Sequence, residues 1–139
     1  MANVNWSKVD VTGIDRLLAR TPDKVEEFLD WMAESMVTDI TLSFNTSPPG
    51  EAYTRGGVTH VASQPGYPPN IDIGDLKSSI TWEKTAPLER TISDGVEYGI
   101  MLEDGTADME PRPFIQPAFD EAAKRFGEDA KRILNLEQA

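Results

Sequence analysis

The sequence predicts a single α+β domain, in which a small antiparallel sheet packs against two long amphipathic helices. Three observations carry this. Apolar residues recur at helical spacing from Val25 to Ile40 and again from Phe119 to Leu134. Between Ile80 and Leu102 they alternate at strand spacing instead. Between the first helix and that stretch lies a Pro/Gly-rich run of roughly 30 residues, 45–75, expected to be an extended loop or arm. At 139 residues the chain supports one domain, 1–139.

The elements follow in order. Val4 to Val11 alternates weakly and suits a short N-terminal edge strand, which Gly13 breaks. Ile14, Leu17 and Leu18 fit a short helical turn. Thr21-Pro22-Asp23 starts the first long helix: Thr caps, Pro tolerates a first helical position, and Asp suits the positive end of the dipole. Val25, Phe28, Leu29, Met32, Met36 and Ile40 then fall within about 120° of arc, the width of a core-facing stripe. Phe44 extends it by a turn. Trp31 lies off the stripe and either covers the short helix before it or faces a partner subunit.

In the loop, Pro48-Pro49-Gly50, Gly56-Gly57, Pro65-Gly66 and Pro68-Pro69 interrupt regular structure, leaving room for a brief strand over Val58 to Ala62. Asp72-Ile73-Gly74-Asp75-Leu76 reads as a turn into a short helix or strand. A three-stranded meander follows. Its first strand carries Ile80 and Trp82, and its second, after Pro87, carries Leu88, Arg90 and Ile92. Its third, after a hairpin turn at Asp94-Gly95, carries Val96, Tyr98, Ile100 and Leu102. Pro111, Pro113 and Pro117 delay the last helix to residue 117, after which Phe119, Ala122, Ala123, Phe126, Ala130, Ile133 and Leu134 form its apolar stripe. Gly127 interrupts it, for close packing or by simple tolerance.

Composition narrows the function. The chain carries 24 acidic and 13 basic residues, a net charge of −11, which disfavours tight binding to a phosphate backbone. It has no cysteine, and therefore neither a disulfide framework nor a thiolate metal site. No stretch approaches the length of an apolar membrane span, and residues 1–8 lack the apolar core of a signal peptide. His60 is the only histidine, and no nucleophile elbow accompanies it. Glu97, Glu103, Asp104, Asp108 and Glu110 form an acidic group able in principle to hold Mg²⁺ or Ca²⁺, but without the spacing of a calcium loop. No phosphate-cradling glycine motif is present, and neither a cofactor nor a metal is expected.

Several motifs stand in a distinctive order. They begin with Val9-Asp10-Val11-Thr12-Gly13-Ile14. Ser63-Gln64-Pro65-Gly66-Tyr67-Pro68-Pro69 follows, then Asp72-Ile73-Gly74-Asp75-Leu76-Lys77-Ser78-Ser79-Ile80. The last are Tyr98-Gly99-Ile100-Met101-Leu102-Glu103-Asp104-Gly105-Thr106, Pro111-Arg112-Pro113-Phe114 and Pro117-Ala118. In this order and separation they resemble the tail-completion and head-tail joining proteins of long-tailed bacteriophages, which are minor tail or neck components. The family usually has Thr at Ile73, a basic residue at Asp75 and an aromatic at Asp104; this chain departs at all three.

The resemblance implies an α+β virion protein that forms a ring, expected to be hexameric, in the particle neck. It would be assembled in the host cytoplasm, without catalysis or cofactor and without a membrane. Its partners would be sister copies, the head connector or adaptor proteins, and the tail terminator or tail tube proteins. DNA would pass through the lumen without specific binding, and some of the excess acid would suit the channel wall. The expected assembly surface is the arm from Tyr53 to Tyr67 with the motifs after it, naming Tyr53, Arg55, His60, Gln64, Tyr67, Pro68, Pro69, Glu103, Asp104 and Arg112. A tail-terminator ring is the alternative within the class. A metal-dependent hydrolase using the carboxylates of 97–110 is the alternative from another class.

Overall fold

The computed structural model describes residues 4–5, 22–70 and 74–134. The elements in chain order are β1 (Val4–Asn5), α1 (Pro22–Ser43), β2 (Pro49–Arg55), β3 (Val58–Ser63), α2 (Asp75–Ser79), β4 (Thr81–Ala86), β5 (Glu89–Ser93), α3 (Gly99–Asp104) and α4 (Ile115–Ile133). The chain is α+β, with two small antiparallel sheets. One has strand order β1-β5-β4 and the other is the β2–β3 pair alone. The remainder of the expected N-terminal strand, the turn at 14–18 and the Thr21 cap lie outside the described residues.

Helix α1 buries the stripe that its spacing predicts, Val25, Phe28, Leu29, Met32, Met36 and Ile40, together with Ala33. It ends where Asn45 takes a left-handed φ of 65°, a conformation Asn tolerates better than most residues. α1 lies across β4 and β5 and packs beside α4. Phe28 meets Phe126 edge-on with centroids 5.4 Å apart, and Phe44 meets Phe114 at 5.7 Å. Each such fully buried side chain contributes about 1.5–3 kcal/mol of transfer free energy. Trp31 stacks on Phe28 at 6.1 Å and lies under the Arg132 guanidinium at 5.7 Å, so its covering group comes at least in part from α4.

Three sequence expectations are corrected. First, the arm is not structureless. Residues 49–63 form a hairpin whose two-residue turn is Gly56-Gly57, with φ of 60° and 79°. Both central positions of such a turn need positive φ, so the glycines that interrupt the sequence pattern are what allow the strands to pair. Second, the meander stops after two strands. The β4–β5 turn is at Pro87-Leu88, and Asp94-Gly95 does not lead into a third strand. The Asp94 side chain instead accepts the Val96 N–H at 3.3 Å, a local turn that competes with the hairpin, and the chain enters α3. Val96, Tyr98, Ile100 and Leu102 alternate, but the positions turned inward are Val96, Gly99 and Leu102, at a spacing of three. A short apolar run fits either period.

Third, α4 starts at Ile115, with Pro117 inside its first turn. The N–H that Pro lacks has no intrahelical partner there, so the ring costs little. Its buried positions include Ala118, Ala122, Phe126 and Ala130. Phe119, Ala123 and Ile133 are half-buried. Gly127 is exposed with open space around it, so tolerance and not close packing accounts for it.

Candidate assembly surface at the hairpin and the cleft below it

The hairpin stands away from the core. All but one of the β2 positions are exposed, and β3 buries only Ser63 at its base. Tyr53, Val58 and Val61 are 42%, 57% and 46% exposed. Apart from their pairing with each other, neither strand packs broadly on another element among the described residues. An isolated two-stranded ribbon is marginal in water, since both faces are wet and neither contributes to a core.

What holds the ribbon is its base. The Gln64 N–H donates to the Pro48 carbonyl at 3.1 Å, and the Gln64 amide donates to the Pro49 carbonyl at 3.2 Å. The Gly66 N–H donates to the Pro111 carbonyl at 2.8 Å, tying the end of the hairpin to the Pro111-Arg112-Pro113 segment. Arg112 Nε donates to the Ser63 carbonyl at 3.2 Å, and the Asn70 amide to the Val61 carbonyl at 3.0 Å. Gly50 lets β2 cross close to β3, since a Cβ there would lie 2.6 Å from the Ser63 carbonyl oxygen.

Between β3 and the loop after α3 lies a cleft of about 370 Å³. Four of the expected interface residues, Tyr53, His60, Pro69 and Arg112, line it together. Tyr53 and His60 are directly paired across the hairpin, with stacked rings 5.5 Å apart. Ser63, Asn70, Leu102 and Met109 complete much of the wall; Ser63 and Asn70 belong to the run 45–75, and Leu102 and Met109 lie beyond it.

The other candidates are placed elsewhere. Arg55 is at the hairpin tip, and Gln64 fastens the base. Tyr67 is exposed on the loop beyond. Pro68 lines a different cleft of about 310 Å³, with Phe114 and the Asp39–Arg125 ion pair. Asp104 is exposed at the end of α3.

Glu103 has a structural task. Its carboxylate accepts the N–H groups of Phe114 and Ile115 at 2.9 and 3.0 Å on one oxygen, and that of Gln116 at 2.9 Å on the other. These are donors of the first turn of α4, which no helix satisfies internally. The Arg112 N–H also donates to the Leu102 carbonyl at 2.6 Å. The Glu103-Asp104-Gly105-Thr106 and Pro111-Arg112-Pro113-Phe114 motifs therefore meet as one joint. Gly105 permits the reversal with φ of 76°, and a Cβ there would strike the Met109 carbonyl at 2.8 Å.

Arg90 is a buried charge that the alternation around it does not announce. It is 1% exposed beneath α1, donating from Nε to Asp30 at 2.6 Å and from a terminal nitrogen to Glu26 at 2.5 Å. Burial by itself would raise the Glu26 carboxyl, but hydrogen bonds from Arg90, Lys84 and the Leu88 N–H outweigh it and hold the pKa below its ordinary value. Burial likewise opposes the charge on Arg90, and the two carboxylates outweigh it, raising its pKa. The available signal is Glu26, Asp30 and Glu34 at four-residue spacing beside the apolar stripe. Glu34 accepts the Trp82 indole N–H at 2.6 Å.

Among the described residues no three acidic or histidine side chains converge as a metal site, and no helix is long and apolar enough to cross a membrane. Comparison with protein-family models, with curated proteins and with solved structures finds no match.

Proposed function

We propose that this chain is a structural virion protein of a phage neck, which forms a ring and joins the head connector to the tail tube. Two lines support the reading. The ordered motifs resemble tail-completion proteins along nearly the whole sequence. The hairpin is the observation that carries it: a ribbon with two wet faces, clamped firmly at its base, is poorly explained as a free surface loop and well explained as an arm that docks on a neighbour. Rings use such head-to-tail contacts, in which one patch meets a different patch on the next copy. DNA would slide through the lumen past a chain whose excess of acid repels it over about 8–10 Å at physiological salt.

The hydrolase reading has less to stand on. Glu103, central to its acidic group, is committed to the first turn of α4. Deleting residues 50–66 tests the neck role. The deleted chain should still fold around the α1–α4–sheet core, and heads and tails should accumulate unjoined. Normal infectious particles from that deletion would rule the role out.

A further inference from the structure

We infer that the cleft at the base of the hairpin is a receptor for an extended, carboxylate-bearing segment of a second copy of this chain. This rests on the self-assembly reading above and supplies the chemistry of one contact. Unmet hydrogen-bonding capacity collects in this cleft. Arg112 is half-buried, its Nε is held by the Ser63 carbonyl, and among the described residues no carboxylate pairs with its guanidinium. The other described cations either hold a carboxylate, as Lys84, Arg90, Lys124, Arg125, Lys131 and Arg132 do, or are solvent-exposed, as Lys24, Arg55 and Lys77 are. Ser63 is 1% exposed and its hydroxyl has no partner; the Asn70 side-chain carbonyl is likewise buried without one. Asp94 Oδ2 is the only other such atom among the described residues, and it lies outside the cleft.

Buried polar atoms are nearly always satisfied, so two orphans beside a guanidinium that holds a carbonyl but no carboxylate describe a site awaiting its occupant. The terminal nitrogens of Arg112 present the fork that takes a carboxylate through two parallel hydrogen bonds. Asn70 Oδ1 requires a donor, which a carboxylate lacks and a backbone N–H supplies. Val61, Pro69 and Leu102 offer apolar wall to an aliphatic stem. A carboxylate by itself can accept from Arg112 and from the Ser63 hydroxyl but leaves Asn70 Oδ1 and the apolar wall unserved; a peptide segment supplies acceptor, donor and stem together.

Charge points to a sister copy. The chain has 24 acidic residues against 13 basic ones. Glu97, Asp104, Asp108 and Glu110 are exposed and pair with no cation among the described residues. Among its described residues, each copy therefore carries carboxylates without cations and one sheltered cation, Arg112, without a carboxylate.

The test titrates the ¹⁵N-labelled full chain with acetyl-Ala-Glu-Ala-amide and, separately, acetyl-Ala-Gln-Ala-amide. The Glu peptide should shift the amides of Val61, Ser63, Asn70 and Arg112, and bind about tenfold tighter than the Gln peptide. Equal responses, or none, overturn the carboxylate site without recourse to any variant. Arg112→Gln should abolish the difference while the amides of α1 and α4 stay in place. A photo-reactive benzoylphenylalanine at position 53, in assembled material, should crosslink to an acidic segment of another copy. Crosslinks solely to a different protein, or no crosslinks, overturn the assignment to a sister chain. If the 50–66 deletion blocks joining while the Glu peptide fails to bind, the arm reading stands and this inference falls. Peptide binding alongside infectious deletion particles does the opposite: the carboxylate site stands and the neck role falls.

Discussion

Buried charge organises the core side of the molecule. Arg90 is enclosed, while Asp30 and Glu26 keep some contact with water, with side chains 48% and 24% exposed. Arg90→Ala removes the shared partner and leaves a cavity; the expected loss is about 2–4 kcal/mol, read by urea denaturation. Because the folded-state pKa of Glu26 is depressed, the stability it supplies is present above the unfolded carboxyl's value near 4.5 and is lost as pH falls through the lower folded value. Melts from pH 6 to 2 should therefore show an acid-side decline that Glu26→Gln makes shallower; an unchanged slope would contradict the pairing. At Glu103 the stake is the first turn of α4. Glu103→Ala should cost about 1–2 kcal/mol, with hydrogen exchange rising first at Phe114 to Gln116. In the sequence the only signal for the Arg90 site is the four-residue spacing of Glu26, Asp30 and Glu34, and Glu103 gives none. Arg90 occupies an alternating position that reads as apolar face, and Glu103 lies in a turn motif whose acidity has an ordinary explanation.

At the scale of elements, legibility follows the length of the periodic pattern. The six-residue stripe of α1 is buried throughout, and that of α4 is buried at Ala122, Phe126, Ala130 and Leu134 and half-buried at Phe119, Ala123 and Ile133. The span from Val96 to Leu102 is too short to separate a period of two from one of three, and the side chain of Asp94 tips it toward α3. Gly99 fixes that choice, because a Cβ there would collide with the Asp94 carboxylate. The hairpin is hidden for a different reason. Gly-Gly is both a breaker and a favoured two-residue turn, and β2 and β3 lack the apolar alternation that normally decides between them, because no face of the ribbon is buried. Two substitutions probe the elements directly. Gly127→Ala, in open space on α4, should stabilise by about 1 kcal/mol in thermal denaturation. Leu88 holds φ of 61° in the β4–β5 turn, so Leu88→Asn should be neutral or stabilising by up to about 1 kcal/mol despite removing an apolar side chain.

At the scale of the whole molecule, α1, α4 and the three-stranded sheet enclose one core, and the β2–β3 ribbon stays outside it. Under the proposed function these parts divide the labour: the core makes the chain fold, and the ribbon with the cleft beneath it makes copies meet. The α+β class is legible in the sequence, since hydrophobic period reports it. The cleft is not, because Leu102, Met109 and Arg112 are brought to β3 by the Gly66–Pro111 tie and the Glu103 joint, contacts between segments far apart in sequence. The most direct measurement is an electron-microscopic reconstruction of the head-tail junction in particles assembled with this chain. A ring of its copies is expected there, with each 49–63 hairpin seated on the adjacent copy. A junction lacking the chain, or a ring whose hairpins project into solvent, would contradict the proposed role.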